Sequence, residues 1–304
     1  MLLVFGSVNL DIAFRADRLP AAGETVMGSG YLVSPGGKGA NQAHAARLFG
    51  APVTLAAAVG RDAFAEPALA RLATAGCELG TVQRLDAPTG CAGIVVDARG
   101  ENQIVVAPGA NLALCSHHVD DATLATAHTV LLQMETDPAQ NTVLLARARA
   151  AGCQTILNNA PARRLAPEVL ALLDLLVVNE TELAATLEGA GIQAEDARTQ
   201  VEQVEMLAAR FEMAVVLTLG AKGVLACAEG RVHEVASFPV DAVDTTGAGD
   251  TFTGVLAAAR MEGQDWPLAL RTAAAAAALA CTKAGAQVAQ PTRAEVNALL
   301  ASSA

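Results

Sequence analysis

The chain predicts an α/β fold, a mainly parallel central sheet with helices on both faces and a small additional sheet. Short apolar runs alternate with longer helical segments along most of its 304 residues, as expected of doubly covered strands joined by crossover helices. Four further strand-like runs, separated by turn residues, break that alternation in the first third and account for the second sheet. No Pro- or Ser-rich linker and no repeat divides the chain, so residues 1–304 read as one domain.

The central strands fall at 2–5, 53–59, 130–133, 155–158, 175–178 and 214–219, rich in Val, Leu or Ile or bounded by Gly, Asn or Pro. Helical segments follow at about 39–49, 64–76, 138–151, 167–173, 180–187 and 197–211. Helices at about 248–262, 266–283 and 292–302 close the chain, and the Ala run at 273–278 suits a helix packed tightly on the sheet. The additional strands are 12–14, 25–33, 91–96 and 104–107, forming insertions at about 12–33 and 91–107 punctuated by Pro20-Ala-Ala-Gly23 and Arg99-Gly100. Between 180 and 205, Glu180, Glu182, Glu188, Glu195, Asp196, Glu202 and Glu205 stand against one Arg198, which reads mostly as a solvated helix face.

Charge and composition narrow the function. Twenty Lys and Arg against 31 Asp and Glu give a net charge of −11, unsuited to a broad basic face for nucleic acid. Aromatics at 3% leave few rings for base stacking or a membrane-interface belt, and no apolar stretch reads as a membrane span. The six cysteines (Cys77, Cys91, Cys115, Cys153, Cys227, Cys281) are scattered, without metal or redox spacing. The start, Met1-Leu-Leu-Val-Phe-Gly-Ser7, has no basic residue before its apolar run, so no secretory signal is expected. Reduced thiols in a cytoplasmic protein are the expectation. The five histidines, including His117 and His118, match no triad or metal pattern and read as structural or surface residues.

The most informative stretch is Val243-Asp-Thr-Thr-Gly-Ala-Gly-Asp-Thr-Phe-Thr-Gly254, small residues running into a helix start. Converging backbone N–H groups and the helix dipole make an anion site without a basic side chain. Asp250 is out of place beside an anion unless it has chemical work. A general base that takes a hydroxyl proton while the amides of Gly247, Ala248 and Gly249 hold a phosphoryl group explains both features. Helix capping is the plainer role for Asp250.

A second stretch, Ser34-Pro-Gly-Gly-Lys-Gly-Ala-Asn-Gln-Ala43, fails as a Walker P-loop because Gly39, not Ser or Thr, follows Lys38. Its glycines imply an unusual backbone path that admits a ligand, or simply a turn capping the next helix. Asn41 offers donor and acceptor to hydroxyls. Gly6-Ser-Val-Asn-Leu-Asp11 follows the first strand, where ligands bind in open α/β sheets, and Asn9 and Asp11 could accept from a polyol. Val178-Asn-Glu-Thr-Glu182 begins a helix, and Leu217-Thr-Leu-Gly-Ala-Lys-Gly223 reads equally well as a turn between strands.

Together these motifs, with Gly23-Glu-Thr-Val26, Pro108-Gly-Ala-Asn111, Leu132-Gln-Met-Glu135, Asn158-Asn-Ala-Pro161 and Gly285-Ala-Gln287, closely resemble the PfkB-type carbohydrate kinase family over nearly the whole chain. The resemblance implies a large α/β domain with a small β-sheet lid, often also the contact of a homodimer. It implies ATP-dependent phosphorylation of a sugar's primary hydroxyl, with Asp250 as base, and the Asn9/Asp11 and Gly-Gly-Lys-Gly-Ala-Asn combination points to D-ribose. Asp11, Gly37, Lys38, Gly39, Asn41 and Glu135 would then hold the sugar, with Asn9 beside them. Asn179, Thr218, Gly220, Ala221, Gly223 and Gly249 would line the ATP site, and Glu182 would organise Mg²⁺ through water. A potassium ion would lie at Asp244, Thr246, Ala280, Lys283, Gly285 and Ala289, several through carbonyl oxygens. Two positions depart from the family pattern. Ala274 stands where His or Asn is frequent near the adenine, and Ala289 where Ser is common. The rival expectations are a kinase of deoxyribose, fructose or a nucleoside, and a catalytically dead sugar sensor. A dinucleotide-binding dehydrogenase fails because Gly6-Ser-Val-Asn9 lacks G-x-G-x-x-G.

Overall fold

A computed structural model describes residues 1–193 and 199–303, so Glu195, Asp196 and Arg198 of the acidic stretch lie outside the described residues. In chain order the first half runs β1 (Leu2–Phe5), β2 (Asn9–Arg15), β3 (Gly30–Gly36), α1 (Lys38–Leu48), β4 (Val53–Gly60), α2 (Ala65–Ala75), β5 (Val82–Leu85), β6 (Gly90–Val96) and β7 (Asn102–Ala107). Next come α3 (Asp121–Thr126), β8 (Thr129–Leu132), α4 (Pro138–Ala150), β9 (Gln154–Asn158), α5 (Pro167–Leu170), β10 (Leu175–Asn179), α6 (Glu180–Gly189) and α7 (Gln200–Phe211). The chain closes with β11 (Ala214–Thr218), β12 (Val224–Ala228), β13 (Arg231–Val235), α8 (Ala248–Met261), α9 (Trp266–Ala280) and α10 (Arg293–Ser302).

The central sheet has nine strands in the order β13-β12-β11-β10-β9-β8-β1-β4-β5, parallel from β11 through β5, with β12 and β13 antiparallel at one edge. Its inner strands are mostly apolar because each face carries its own core, whereas the edge strands β5 and β13 carry charged and polar residues. Leu2 and Val4 of β1 point into a core shared with α1, α2, α8, α9 and α10. Leu3 and Phe5 point the other way, into a core with α3, α4, α6 and α7. This period-two division is what a doubly covered strand requires.

The predicted central strands and crossover helices all form, with ends shifted by a few residues; for the segment predicted at 197–211, the described helix is α7, over 200–211. Among the strands and α-helices, three were not anticipated: β5, which extends the sheet beyond β4; α3, just before β8; and β13, which pairs with β12, the strand the sequence reading allowed after the turn at 219–223.

The second sheet has the order β3-β2-β6-β7. The strand expected at 25–33 instead occupies 30–36, since its antiparallel register pairs Arg15 with Gly30 and Asn9 with Gly36. The ladder therefore runs straight into the glycine loop and leaves 25–29 outside it. This sheet exposes Phe14, Tyr31, Leu32, Ile104, Val105 and Val106.

Helices α1 and α8 come from opposite ends of the chain and pack directly together. Gly254 permits that contact, because a Cβ there would lie 2.3 Å from the Gln42 carbonyl oxygen and 3.1 Å from the Ala45 Cβ. Gly254→Ala should force the helices apart and destabilise the fold by about 1–3 kcal/mol. Urea denaturation of the two proteins checks this, an unchanged midpoint being the contrary result.

Candidate active site

Polar side chains gather where the parallel strands end at their carboxyl edge. Asp250, the third residue of α8, is only 6% exposed, and a buried carboxylate is tolerable only when hydrogen-bonded. Asn41 Nδ2 donates to its Oδ2 at 3.0 Å and Gln42 Nε2 to its Oδ1 at 3.0 Å. Asn41 is itself held by Gln287 Nε2, which donates to Asn41 Oδ1 at 3.2 Å, and by Gln290 Nε2, which donates to the Asn41 carbonyl at 2.9 Å. The side chain is thus oriented inward rather than used as a helix cap; the N-cap is Gly247, at φ 74°, a left-handed conformation that suits glycine. Of the three expected amide donors, Ala248 N already donates to Thr245 O at 3.2 Å. Gly249 N–H, on the first turn, has no intrahelical acceptor.

The glycine loop admits no ligand through its missing side chains; protein atoms fill that space. A Cβ on Gly36 would meet the Asp11 carboxylate at 2.1 Å, and one on Gly39 would meet Ser7 N at 2.5 Å. The loop is therefore glycine-rich so that the start of α1 can lie against the β1–β2 turn. Asn9, expected to face a polyol, is 4% exposed and accepts from Asn111 Nδ2 at 2.7 Å. Glu135 Oε2 likewise ties the loop down, accepting from Ser7 Oγ at 2.5 Å and from Lys38 N at 2.9 Å.

Asp11, Glu135, Asp250 and Lys38 interact electrostatically across this space. Burial, then the nearby Glu135 and Asp250 charges, push the Asp11 carboxyl up to about 6. The Asp250 carboxylate outweighs desolvation and holds Lys38 above the usual ammonium range. Burial also raises the Glu182 carboxyl. Glu182 and Asn179 form a reciprocal cap of α6, the Asn179 N and Nδ2 donating to Glu182 at 2.8 and 2.9 Å.

On the far side of the first turn of α8 opens a cleft of about 360 Å³, lined by Thr218, Gly220, Ala221, Gly223, Ala248 and Gly249 among others. Asn179 is not among its lining residues. Sequence reasoning missed its apolar wall, Phe238 to Val240, and of the Ala run set only Ala274 beside the nucleotide, through the resemblance, reading the rest as packing. Ala274, Ala277 and Ala278 in fact face the cleft, while Ala273, Ala275 and Ala276 pack into the core. Helical periodicity divides one run between two jobs.

Asp244 joins two loops. Its Oδ1 accepts from Thr246 N and Oγ1 at 2.9 and 2.6 Å, and its Oδ2 accepts from Gly285 N at 2.8 Å. Desolvation opposes ionisation there, but these donors prevail and keep its carboxyl below the usual range. Lys283 pairs with Glu295 at 3.3 Å, while Ala280 and Ala289 are buried and offer only backbone oxygens. Among the described residues no group of three or more His, Cys, Asp or Glu side chains is arranged to hold a metal ion.

A fixed, buried carboxylate beside a helix N-terminus that faces a cleft suits proton abstraction from a hydroxyl next to a bound anion. The pfkB family carbohydrate kinase pattern matches residues 1–293. The ribokinase of Haemophilus influenzae is 37% identical over 298 residues, covering 97% of this chain and 96% of that protein. Among solved structures, the ribokinase of Thermotoga maritima superposes with a TM-score of 0.91 at 33% identity, covering 99% of each chain. The Arabidopsis thaliana ribokinase complexed with ribose and ATP gives 0.88 at 33%, covering 98% of each.

Asp11 sets a pH dependence. Its carboxyl titrates near 3.8 unfolded and about 6 folded, so folding favours the protonated form and stability falls as pH rises through that window. Asp11→Asn should therefore melt higher than the parent above pH 6, the gap closing towards about pH 4. Melting curves at several pH values test it, a constant difference being the adverse result.

Proposed function

The chain belongs to the pfkB carbohydrate kinase family, and from that premise we propose that it transfers the γ-phosphoryl group of ATP to the primary O5 hydroxyl of D-ribose, giving ribose 5-phosphate and ADP. One observation carries this reading: the first turn of α8 turns Ala248 and Gly249 to the cleft while Asp250 points inward, clamped by Asn41 and Gln42. ATP in the cleft and a sugar held near Asp11, Lys38 and Asn41 would meet at that turn.

Phosphoryl transfer passes through a loose transition state, so alignment and charge stabilisation dominate. Asp250 accepts the O5 proton as the O5–phosphorus bond forms and the bond to the β–γ bridging oxygen breaks. The Gly247 and Gly249 amides steady the equatorial oxygens, joined by Ala248 once its N–H leaves Thr245 O. Asp11, ionised at neutral pH, accepts from sugar hydroxyls, and Lys38, Asn41 and Glu135 complete the pocket around the Gly37–Gly39 backbone. Thr218, Gly220, Ala221, Gly223 and Gly249 border the nucleotide, with Asn179 at the adjoining strand end. Ala274 offers the adenine a methyl group in place of a hydrogen-bonding side chain.

Mg²⁺ bound with the nucleotide would neutralise phosphate charge; it would be held mainly by phosphate oxygens and water, with Glu182 reached through water. For K⁺ the donor chemistry fits on its oxygens: the Asp244 carboxylate and Thr246 Oγ1 lie 2.6 Å apart, and the carbonyls of Ala280, Lys283, Gly285 and Ala289 would add hard oxygen donors. Phe14, Tyr31, Val33 and Val105 are exposed on the face of the β3-β2-β6-β7 sheet opposite that of Asp11, which supports a homodimer through a sheet that acts as a lid over the sugar. Residues 1–304 then form one catalytic unit, with the lid strands as insertions. All six cysteines are unpaired and no helix among the described residues is long and apolar enough to cross a membrane. Both fit residence in the cytoplasm.

Asp250→Asn should lower kcat by at least about 1,000-fold, with ribose and ATP binding largely kept. Near-normal turnover in a coupled ADP-release assay refutes the base. The same assay across ribose, deoxyribose, fructose and nucleosides, with and without K⁺, tests substrate and ion, ribose with K⁺ being expected to lead. Tyr31 and Val105 are 71% and 74% exposed on the lid. Val105→Asp should convert dimer to monomer in sedimentation velocity, and a dimer that persists removes the lid as its interface.

A further inference from the structure

Gln42 is fully buried, in the middle of α1, and the sequence reading assigned it nothing. Its two amide hydrogens are both used, one on Asp250 Oδ1 and the other on Asn158 Oδ1, each at 3.0 Å. Its Oε1 accepts from Gln133 Nε2 at 2.7 Å. Asn158 is oriented in turn by donating Nδ2 to the Val177 carbonyl at 3.1 Å. The Gln42 amide therefore has one orientation. Flipped, it would put a carbonyl oxygen against the Asp250 carboxylate and against Asn158 Oδ1, and an NH₂ against that of Gln133. The ends of β8 and β9 thus fix the direction of a donor aimed at one oxygen of Asp250.

We propose that Gln42 is a positioning residue for the base: it holds Oδ1 of Asp250 so that the carboxylate presents its remaining lone pairs to the incoming hydroxyl. The inference rests on Asp250 being that base. Asn41 alone, bound to the other oxygen, leaves the carboxylate free to swing about that single contact. Gln42 supplies the second point and fixes the plane. A donor to an ionised carboxylate is stronger than one between neutral groups, so its loss is felt in the orientation of Asp250. The charged groups coupled to Asp250 are Lys38 on α1, Asp11 on β2 and Glu182 on α6, while the Gln42 side chain spends its hydrogen bonds on Asp250, Asn158 and Gln133.

Two variants test this in the full chain with ribose and ATP, beside Asp250→Asn. Gln42→Met keeps the length and apolar stem but donates nothing, and kcat should drop about 10- to 100-fold with KM for both substrates within about threefold. Gln42→Glu sets a second carboxyl against Asp250, and the shared proton should move the acidic limb of the kcat profile up by about one pH unit or more. A residue that merely packs would lower the melting temperature without moving that limb. The proposal is overturned if folded Gln42→Met retains kcat within threefold, or if the limb of Gln42→Glu stays at the parent position. If Asp250→Asn is inactive while the Gln42 variants behave as the parent, only the positioning role falls. If Asp250→Asn turns over normally, the base assignment falls with it.

Discussion

The contact between α1 and α8 is the constraint from which the site follows. One helix begins at residue 38 and the other at residue 248, so only the folded sheet beneath them brings Asn41 and Gln42 within reach of Asp250. The contact is close because Gly254 leaves room for the Gln42 carbonyl. Closeness matters because a carboxylate withdrawn from water must be repaid by donors at hydrogen-bond distance. Two amide donors and the nearby Lys38 charge meet that need, and they hold the acid where a hydroxyl could reach it.

The first turn of α8 then divides the rim in two. Successive helical residues point about 100° apart, so Ala248 and Gly249 reach the cleft while Asp250 turns towards the glycine loop. A helix start can serve anion and acid together only by this angular separation, since a carboxylate aimed into the same cleft would repel phosphate. The loops behind it are not independent. Gln287 and Gln290 bind Asn41, and Asp244 binds Gly285, so the segment following α9 is tied into the side chains that hold Asp250.

The glycine loop shows how one sequence signal can carry a different physical meaning. Glycines at 36, 37 and 39 demand close approach, and the approaching atoms prove to be Asp11, Asn9, Ser7 and Gly6 of the same chain. The tight fit sets the Asp11 carboxylate over the loop and lets Glu135 bind both Ser7 and Lys38. Asn9 is drawn inward by Asn111, the last residue of the Pro108-Gly-Ala-Asn111 motif, whose role the motif by itself did not reveal.

Apolar periodicity and glycine placement were enough to read the layers, most of the strands, the crossover helices and the Asp250 stretch from the chain alone. Those features depend on residues near one another in sequence, and local geometry shows there directly. The edge strand β5, the shifted start of β3, the division of the Ala run and the Gln42–Gln133–Asn158 relay were settled by tertiary structure. Each depends on a partner tens to hundreds of residues away. A buried amide acquires its direction only when the groups on either side of it are in place.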